Sequence, residues 1–184
     1  MGIVDAQVHI WRKGTATPPH LTVPYLAEDA IRDMDVAGID AALLHPPASW
    51  DPDSNDQAVD AVEAYPGRFA ILGNPPLDQP DSADRIAAWK ARPGMLGYRF
   101  YFNKPHNRSW PTDGTLDWLW PAAEKAGTPL ALLAADWLPL VGEIAERHPR
   151  LKLTVDHMGA LRGAKGDAAF PNMRALTALA RFPN

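Results

Sequence analysis

Gly2-Ile3-Val4-Asp5-Ala6-Gln7-Val8-His9-Ile10-Trp11 alternates polar and apolar side chains almost from its first residue. A strand turns successive side chains to opposite faces, so Asp5, Gln7 and His9 share one face and Val4, Ala6, Val8 and Ile10 the other. A solvated edge strand would explain the pattern if it stood alone. An opening strand followed by repeated strand and helix units is instead expected to be covered on both faces, and three inward polar residues then point to chemistry.

The units do repeat. A polar loop with Pro18-Pro19 runs from Arg12 to Pro24, and Tyr25 to Ala37 carries Leu26, Ala30, Met34 and Ala37 at helical spacing with Gly38 placed to end the helix. Ile39 to Leu44 reads as a strand, Asn55 to Tyr65 as a helix, Phe69 to Gly73 as a strand and Ser82 to Ala91 as a helix. Strands at Leu96 to Phe102, Pro129 to Ala134 and Leu151 to Val155 follow, with helices at Leu116 to Ala126, from a cap at Asp136 to Arg147, and from Pro171 to Arg181. Such alternation argues for parallel strands joined by right-handed crossovers.

Two architectures fit a parallel βα chain. A doubly wound sheet would place a glycine-rich phosphate loop after the first strand, where this chain has His9-Ile10-Trp11-Arg12-Lys13-Gly14. The expectation is therefore a TIM-type (β/α)8 barrel truncated after about six βα units, with residues 1–184 a single domain lacking about two units at its C-terminal side.

Composition narrows the function classes. The chain is 46% hydrophobic and 22% charged with a net charge of −4, an ordinary globular mixture without a basic cluster for nucleic acid or an anionic membrane. It has no cysteine, which excludes disulfides, thiolate metal sites and a catalytic thiol from its inventory. No leader-like segment and no apolar run of about 20 residues is evident, so a cytoplasmic protein with a small-molecule substrate is expected.

In a parallel βα array the strands' C-terminal ends share one rim. The residues due there are Gln7 and His9, His45, Asn74, Arg99, Tyr101 and Asn103, Asp136, and Asp156 with His157. Arg99 suits a substrate carboxylate or a developing oxyanion, unless it is paired with Asp5 or Asp156 inside the fold. Trp11, Trp50, Trp110 and Trp137 lie just past these ends, where rings either wall a pocket or pack loops.

Three stretches together resemble a known family. Asp5-Ala6-Gln7-Val8-His9 is similar to the Asp-x-His-x-His opening strand of the amidohydrolase superfamily, Gly97-Tyr98-Arg99 to a fourth-strand Gly-x-Arg segment, and Asp156-His157-Met158-Gly159 to a sixth-strand Asp-His-x-Gly signature. The resemblance is to the amidohydrolase-related group of TIM-barrel hydrolases, which includes sugar lactonases and 2-pyrone-4,6-dicarboxylate lactonase. It implies hydrolysis of a lactone or another carboxylic ester or amide by activated water, with a base on an eighth-strand aspartate beyond this chain. It further implies catalytic roles for His9, His157 and Arg99, and substrate contacts from Gln7, His45, Tyr101, Asp156 and Trp11.

Two departures set the cofactor expectation. Gln7 stands where metal-binding relatives carry the first histidine, and Leu130-Ala131-Leu132-Leu133-Ala134 offers no histidine on the fifth strand. A catalytic zinc needs three protein ligands, so neither metal nor other cofactor is expected. The alternatives are a non-catalytic binding module that forms a homo-oligomer through its sheet edges, and a metal-dependent decarboxylase.

Overall fold

The computed structural model describes residues 2–13, 23–79, 81–161 and 163–184. Most of the loop expected between Arg12 and Pro24, at 14–22, lies outside the described residues. Strands β1 (Val4–Val8), β2 (Ala41–Leu44), β3 (Phe69–Gly73), β4 (Met95–Tyr101), β5 (Leu130–Leu133) and β6 (Leu153–Val155) alternate with helices α1 (Ala27–Ala37), α2 (Ser54–Ala64), α3 (Ser82–Trp89), α4 (Leu119–Ala126), α5 (Leu138–Arg147) and α6 (Met173–Ala178). The strand order is β1-β2-β3-β4-β5-β6. A doubly wound sheet would reverse its order partway, and this one does not.

The chain packs as two compact units, one of residues 1–76 and 88–98, the other of 77–87 and 99–184. In the first, Val4 pairs with Ala41, Asp5 with Ala42, and Val8 with Leu44 after a shift in register. Ala42 to Leu44 then pair with Phe69 to Ile71. Phe69, Ile71 and Gly73 are buried and alternate with half-buried Ala70 and Leu72, the period-2 signature of a strand with one face in the core. Helix α1 buries Ala30 and Met34, four apart, and stops at Gly38, whose φ of 72° is the left-handed conformation that glycine adopts without strain. In the second unit Leu130, Ala131 and Leu132 of β5 pair with Leu153, Thr154 and Val155 of β6, and α5 buries Leu138, Val141, Ile144 and Ala145.

Several boundaries differ from the sequence reading for local reasons. No side chain caps α5: its N-cap position falls on Trp137, and Asp136, one residue earlier, faces Arg108 at 3.5 Å. Residues 116–118 form a turn ahead of α4 in which Leu116 is buried. The last helix covers only Met173–Ala178 before a short 3-10 turn, and none of its residues is buried, so tertiary packing gives it little reason to extend. The outer face of β1 is not covered along its length: Ile10 is buried, whereas Val4 is 58% exposed. Among the described residues no helix is long and apolar enough to cross a membrane.

Candidate active site

His9 stands one residue past β1, His45 one past β2, Asn74 one past β3 and Asp156 one past β6, while Arg99 and Tyr101 are in the last three residues of β4. Each side chain thus leaves its strand at the C-terminal end, where βα loops build sites. Each unit gathers its own polar group.

In the first unit the group centres on His9. Its Nδ1 lies 2.5 Å from the backbone oxygen of His45, and its Nε2 is 3.5 Å from the side-chain nitrogen of Gln7. The pairing of β1 with β2 sets this up, since the His45 N–H also donates to the Val8 carbonyl at 2.8 Å. The buried His45 ring stands edge-on to His9 with centroids 6.3 Å apart, and Trp50 stands edge-on at 5.9 Å. The Asp5 carboxylate turns back to accept the Gln7 backbone N–H at 2.9 Å.

Trp11 is placed differently from Trp50. It is buried with its ring 5.7 Å from Tyr25, to which its backbone is bridged. Of the two tryptophans, Trp50 is the one in contact with His9, and the sequence carried no signal to choose between them.

Asp51 was not singled out by sequence, yet it fixes the loop that leaves His9. Its Oδ2 accepts the backbone N–H groups of Arg12 at 2.7 Å and Lys13 at 3.1 Å, and the Gln57 side chain at 2.8 Å. Burial acts to raise the Asp51 pKa and is the largest single influence. The combined hydrogen bonds from Gln57 and from the backbone of Arg12, Lys13 and Asp53 outweigh it and hold the carboxyl below the usual carboxylate range. Asn55 plays a similar part for β3, donating to the Asn74 carbonyl at 3.1 Å and accepting its N–H at 2.9 Å. The signal for both was a polar run, Asp51 to Gln57, that outlasts what a loop needs and continues buried into α2.

In the second unit Arg99 donates through Nε to Asp156 Oδ2 at 2.5 Å, with side chains 11% and 5% exposed. The structural pairing weighed for Arg99 is therefore present, and Asp156 orients the guanidinium. The Tyr101 ring lies 5.9 Å from the guanidinium carbon, and the Tyr101 carbonyl accepts the Asn107 amide at 3.2 Å. His157 is exposed at the start of a turn after β6, with φ of 51°, and Met158 follows with φ of 52°. Asn103 is exposed.

The sequence profile of the amidohydrolase family matches residues 4–184. This chain belongs to that family. The amidohydrolase superposes on a zinc-bound amidohydrolase from Burkholderia multivorans with a TM-score of 0.80 and 21% identity, covering 100% of this chain and 67% of that one. A probable 2-pyrone-4,6-dicarboxylic acid hydrolase from Acinetobacter baumannii, with citric acid bound, gives 0.72 and 17%, covering 97% and 66%. A 5-carboxyvanillate decarboxylase from Novosphingobium aromaticivorans, complexed with manganese and a nitrobenzoic acid, gives 0.65 and 19%, covering 97% and 68%. No curated protein matches. These likenesses show the fold, a TIM-type barrel of which this chain carries six βα units and about two thirds of the neighbours' length.

A metal such as those in the relatives finds a poor donor set here. Gln7 occupies the first histidine position, and the Nδ1 of His9 is already on a carbonyl. Among the described residues no group of three or more histidine, aspartate or glutamate side chains comes together to hold an ion. The described residues do not by themselves make the three-ligand site that a catalytic zinc needs.

Proposed function

We propose that this amidohydrolase opens a lactone, or a related carboxylic ester or amide, with water as nucleophile and without a metal. The observation that carries the reading is the opening strand. Its Gln7 and His9 form a hydrogen-bonded pair in the place of a ligand pair, and His9 is locked by the His45 carbonyl. Hydrolysis needs a deprotonated water, stabilisation of the carbonyl oxygen and an oriented substrate. His9 and His157 take polarisation and orientation, and Arg99, held by Asp156, takes a substrate carboxylate or the developing oxyanion. Gln7 and Tyr101 supply further hydrogen bonds, His45 walls the His9 ring, and Trp11, packed on Tyr25, backs the loop that leaves β1.

Hydrolysis of a lactone panel, measured before and after exhaustive chelation, tests the metal-free chemistry. At least one lactone is expected to be opened at an unchanged rate after chelation. Activity abolished by chelation and restored by zinc would refute the metal-free part, and release of carbon dioxide from aromatic acids in place of lactone opening would establish the decarboxylase alternative. The complementary variant is Gln7→His, which puts two imidazoles on one strand face and is expected to gain zinc content that the wild type lacks.

A second reading has an observation of its own. Ile3, just before the first strand of the order, is 59% exposed and Val4, its first residue, 58%, an apolar edge that a second copy of the chain would cover. The chain would then act as an assembly module.

A further inference from the structure

We infer that Met158 and Gly159 are positioning residues of this amidohydrolase: the left-handed turn they form holds the His157 imidazole at the rim, next in the chain to the aspartate that grips Arg99. This rests on the hydrolase reading above, in which His157 polarises or orients the substrate. β6 ends at Val155, and in an extended continuation Asp156 and His157 would take opposite faces of the sheet. Because the Asp156 carboxylate is on Arg99, an extended His157 would face away from that pair. The backbone turns instead. His157, Met158 and Gly159 have φ of 51°, 52° and 66°, and the Ala160 N–H donates to the His157 carbonyl at 3.0 Å. The imidazole is left exposed while Asp156 stays buried.

Both ends of the turn are fixed. Before it, Asp156 accepts the Arg99 Nε–H at 2.5 Å. After it, buried Gly159 sits where a Cβ would meet the Leu138 side chain of α5 at 3.2 Å, and the Leu161 N–H donates to the Ala169 carbonyl at 2.7 Å. The residues between these anchors have no freedom to unwind the turn without breaking one of them.

Stability does not account for the residue at 158. Positive φ at both central positions and a bond across the turn are the marks of the turn type in which Asn-Gly is the favoured pair. This chain has Met158 in the asparagine position, and His157 ahead of it is left-handed as well. In that conformation each Cβ crowds the carbonyl oxygen that follows. Met158 is 62% exposed, so burial of its side chain does little to offset the strain. Strain of this kind persists where the surrounding fold over-determines a geometry, and it gathers at functional sites. The left-handed well open to a residue with a Cβ is small, whereas that of glycine is broad. Methionine at 158 therefore fixes His157 more narrowly than glycine would, and the protein gives up stability for it.

NMR of the whole chain reads the turn without any substrate. Cross-correlated relaxation gives the sign of φ at His157 and Met158, and carbon-13 relaxation gives the order of the His157 ring, whose signals His157→Gln identifies by their loss. Met158→Gly is expected to raise the thermal midpoint, to loosen the His157 ring, and to lower kcat on a lactone about tenfold with KM little changed. A turn with a merely structural role would lose no rate from a stabilising change. Met158→Asn makes the Asn-Gly pair and keeps a Cβ at 158, so it is expected to recover most of the rate and ring order that Met158→Gly loses. A negative φ at either residue, a His157 ring as ordered in Met158→Gly as in the wild type, or an undiminished kcat in that variant overturns the inference and leaves hydrolysis standing. A wild type that opens no lactone removes the hydrolase reading instead; the ring order in Met158→Gly then decides by itself whether the turn holds His157.

Discussion

Arg99 and Asp156 illustrate how much one residue depends on another that is distant in sequence. They are 57 residues apart, and both side chains are largely withdrawn from water. Removing one partner of such a pair strands the other charge, so Asp156→Ala is expected to cost about 3–5 kcal/mol in a denaturant titration. Replacing both, as Arg99→Met with Asp156→Leu, should recover most of that loss; a cost below about 1 kcal/mol for the single change would mean that the pair is solvated. Asp51 makes a second prediction at this scale. Asp51→Asn removes a charged acceptor from the backbone N–H groups of Arg12, Lys13 and Asp53 and is expected to cost about 1.5–3 kcal/mol near neutral pH. Because the folded state holds the Asp51 pKa down, its contribution is complete above about pH 4, the unfolded carboxylate range, and fades as pH falls through the lower folded value. The stability gap between wild type and Asp51→Asn should therefore close in acid, and a gap that persists at pH 2 would contradict the linkage.

At the scale of an element, the turn after β6 holds the two non-glycine residues with positive φ among the described residues. His157, Met158 and Gly159 all have positive φ, at 51°, 52° and 66°. Only the glycine tolerates this without strain, and a Cβ at position 159 would also come within 3.2 Å of Leu138. That accounts for the glycine of the Asp-His-x-Gly signature: it closes the turn tightly against α5. Left-handed non-glycine residues cost about 1–2 kcal/mol each, and such strain concentrates where a side chain must be held in a particular place. The exposed Met158 has no evident part in the chemistry, so Met158→Gly should relieve strain there. A gain of about 0.5–1 kcal/mol remains after the greater freedom of glycine in the unfolded chain is subtracted. A lower unfolding midpoint in a thermal melt would show the turn to be unstrained at Met158.

For the molecule as a whole, six βα units in sequential order are a barrel's arrangement, and the chain spans about two thirds of the length of the barrels it resembles. The apolar start of β1 is the feature with consequences at this scale. Ile3 and Val4 present aliphatic surface beside a strand edge, and contiguous exposure of that kind promotes association. Light scattering at tens of micromolar is expected to give a mass above the 20.1 kDa of one chain, and Val4→Lys to return it to the single-chain value. A wild type of 20.1 kDa at every concentration would dispose of the assembly reading.

The order and type of the elements were determined by sequence alone, because period 2 and period 3.6 are local properties of the chain. The alternation of Asp5, Gln7 and His9, the burial of Ala30 and Met34, and the arrival of Arg99 and Asp156 at strand ends all follow from it. Those same periods are silent about which groups meet. The hold of the His45 carbonyl on His9, the grip of Asp156 on Arg99, and the choice of Trp50 over Trp11 as the neighbour of His9 join residues 36 to 57 positions apart or turn on loop packing. They were decided by the register in which strands pair and by how the loops pack on the strand ends, and both are settled only when the whole chain has folded around them.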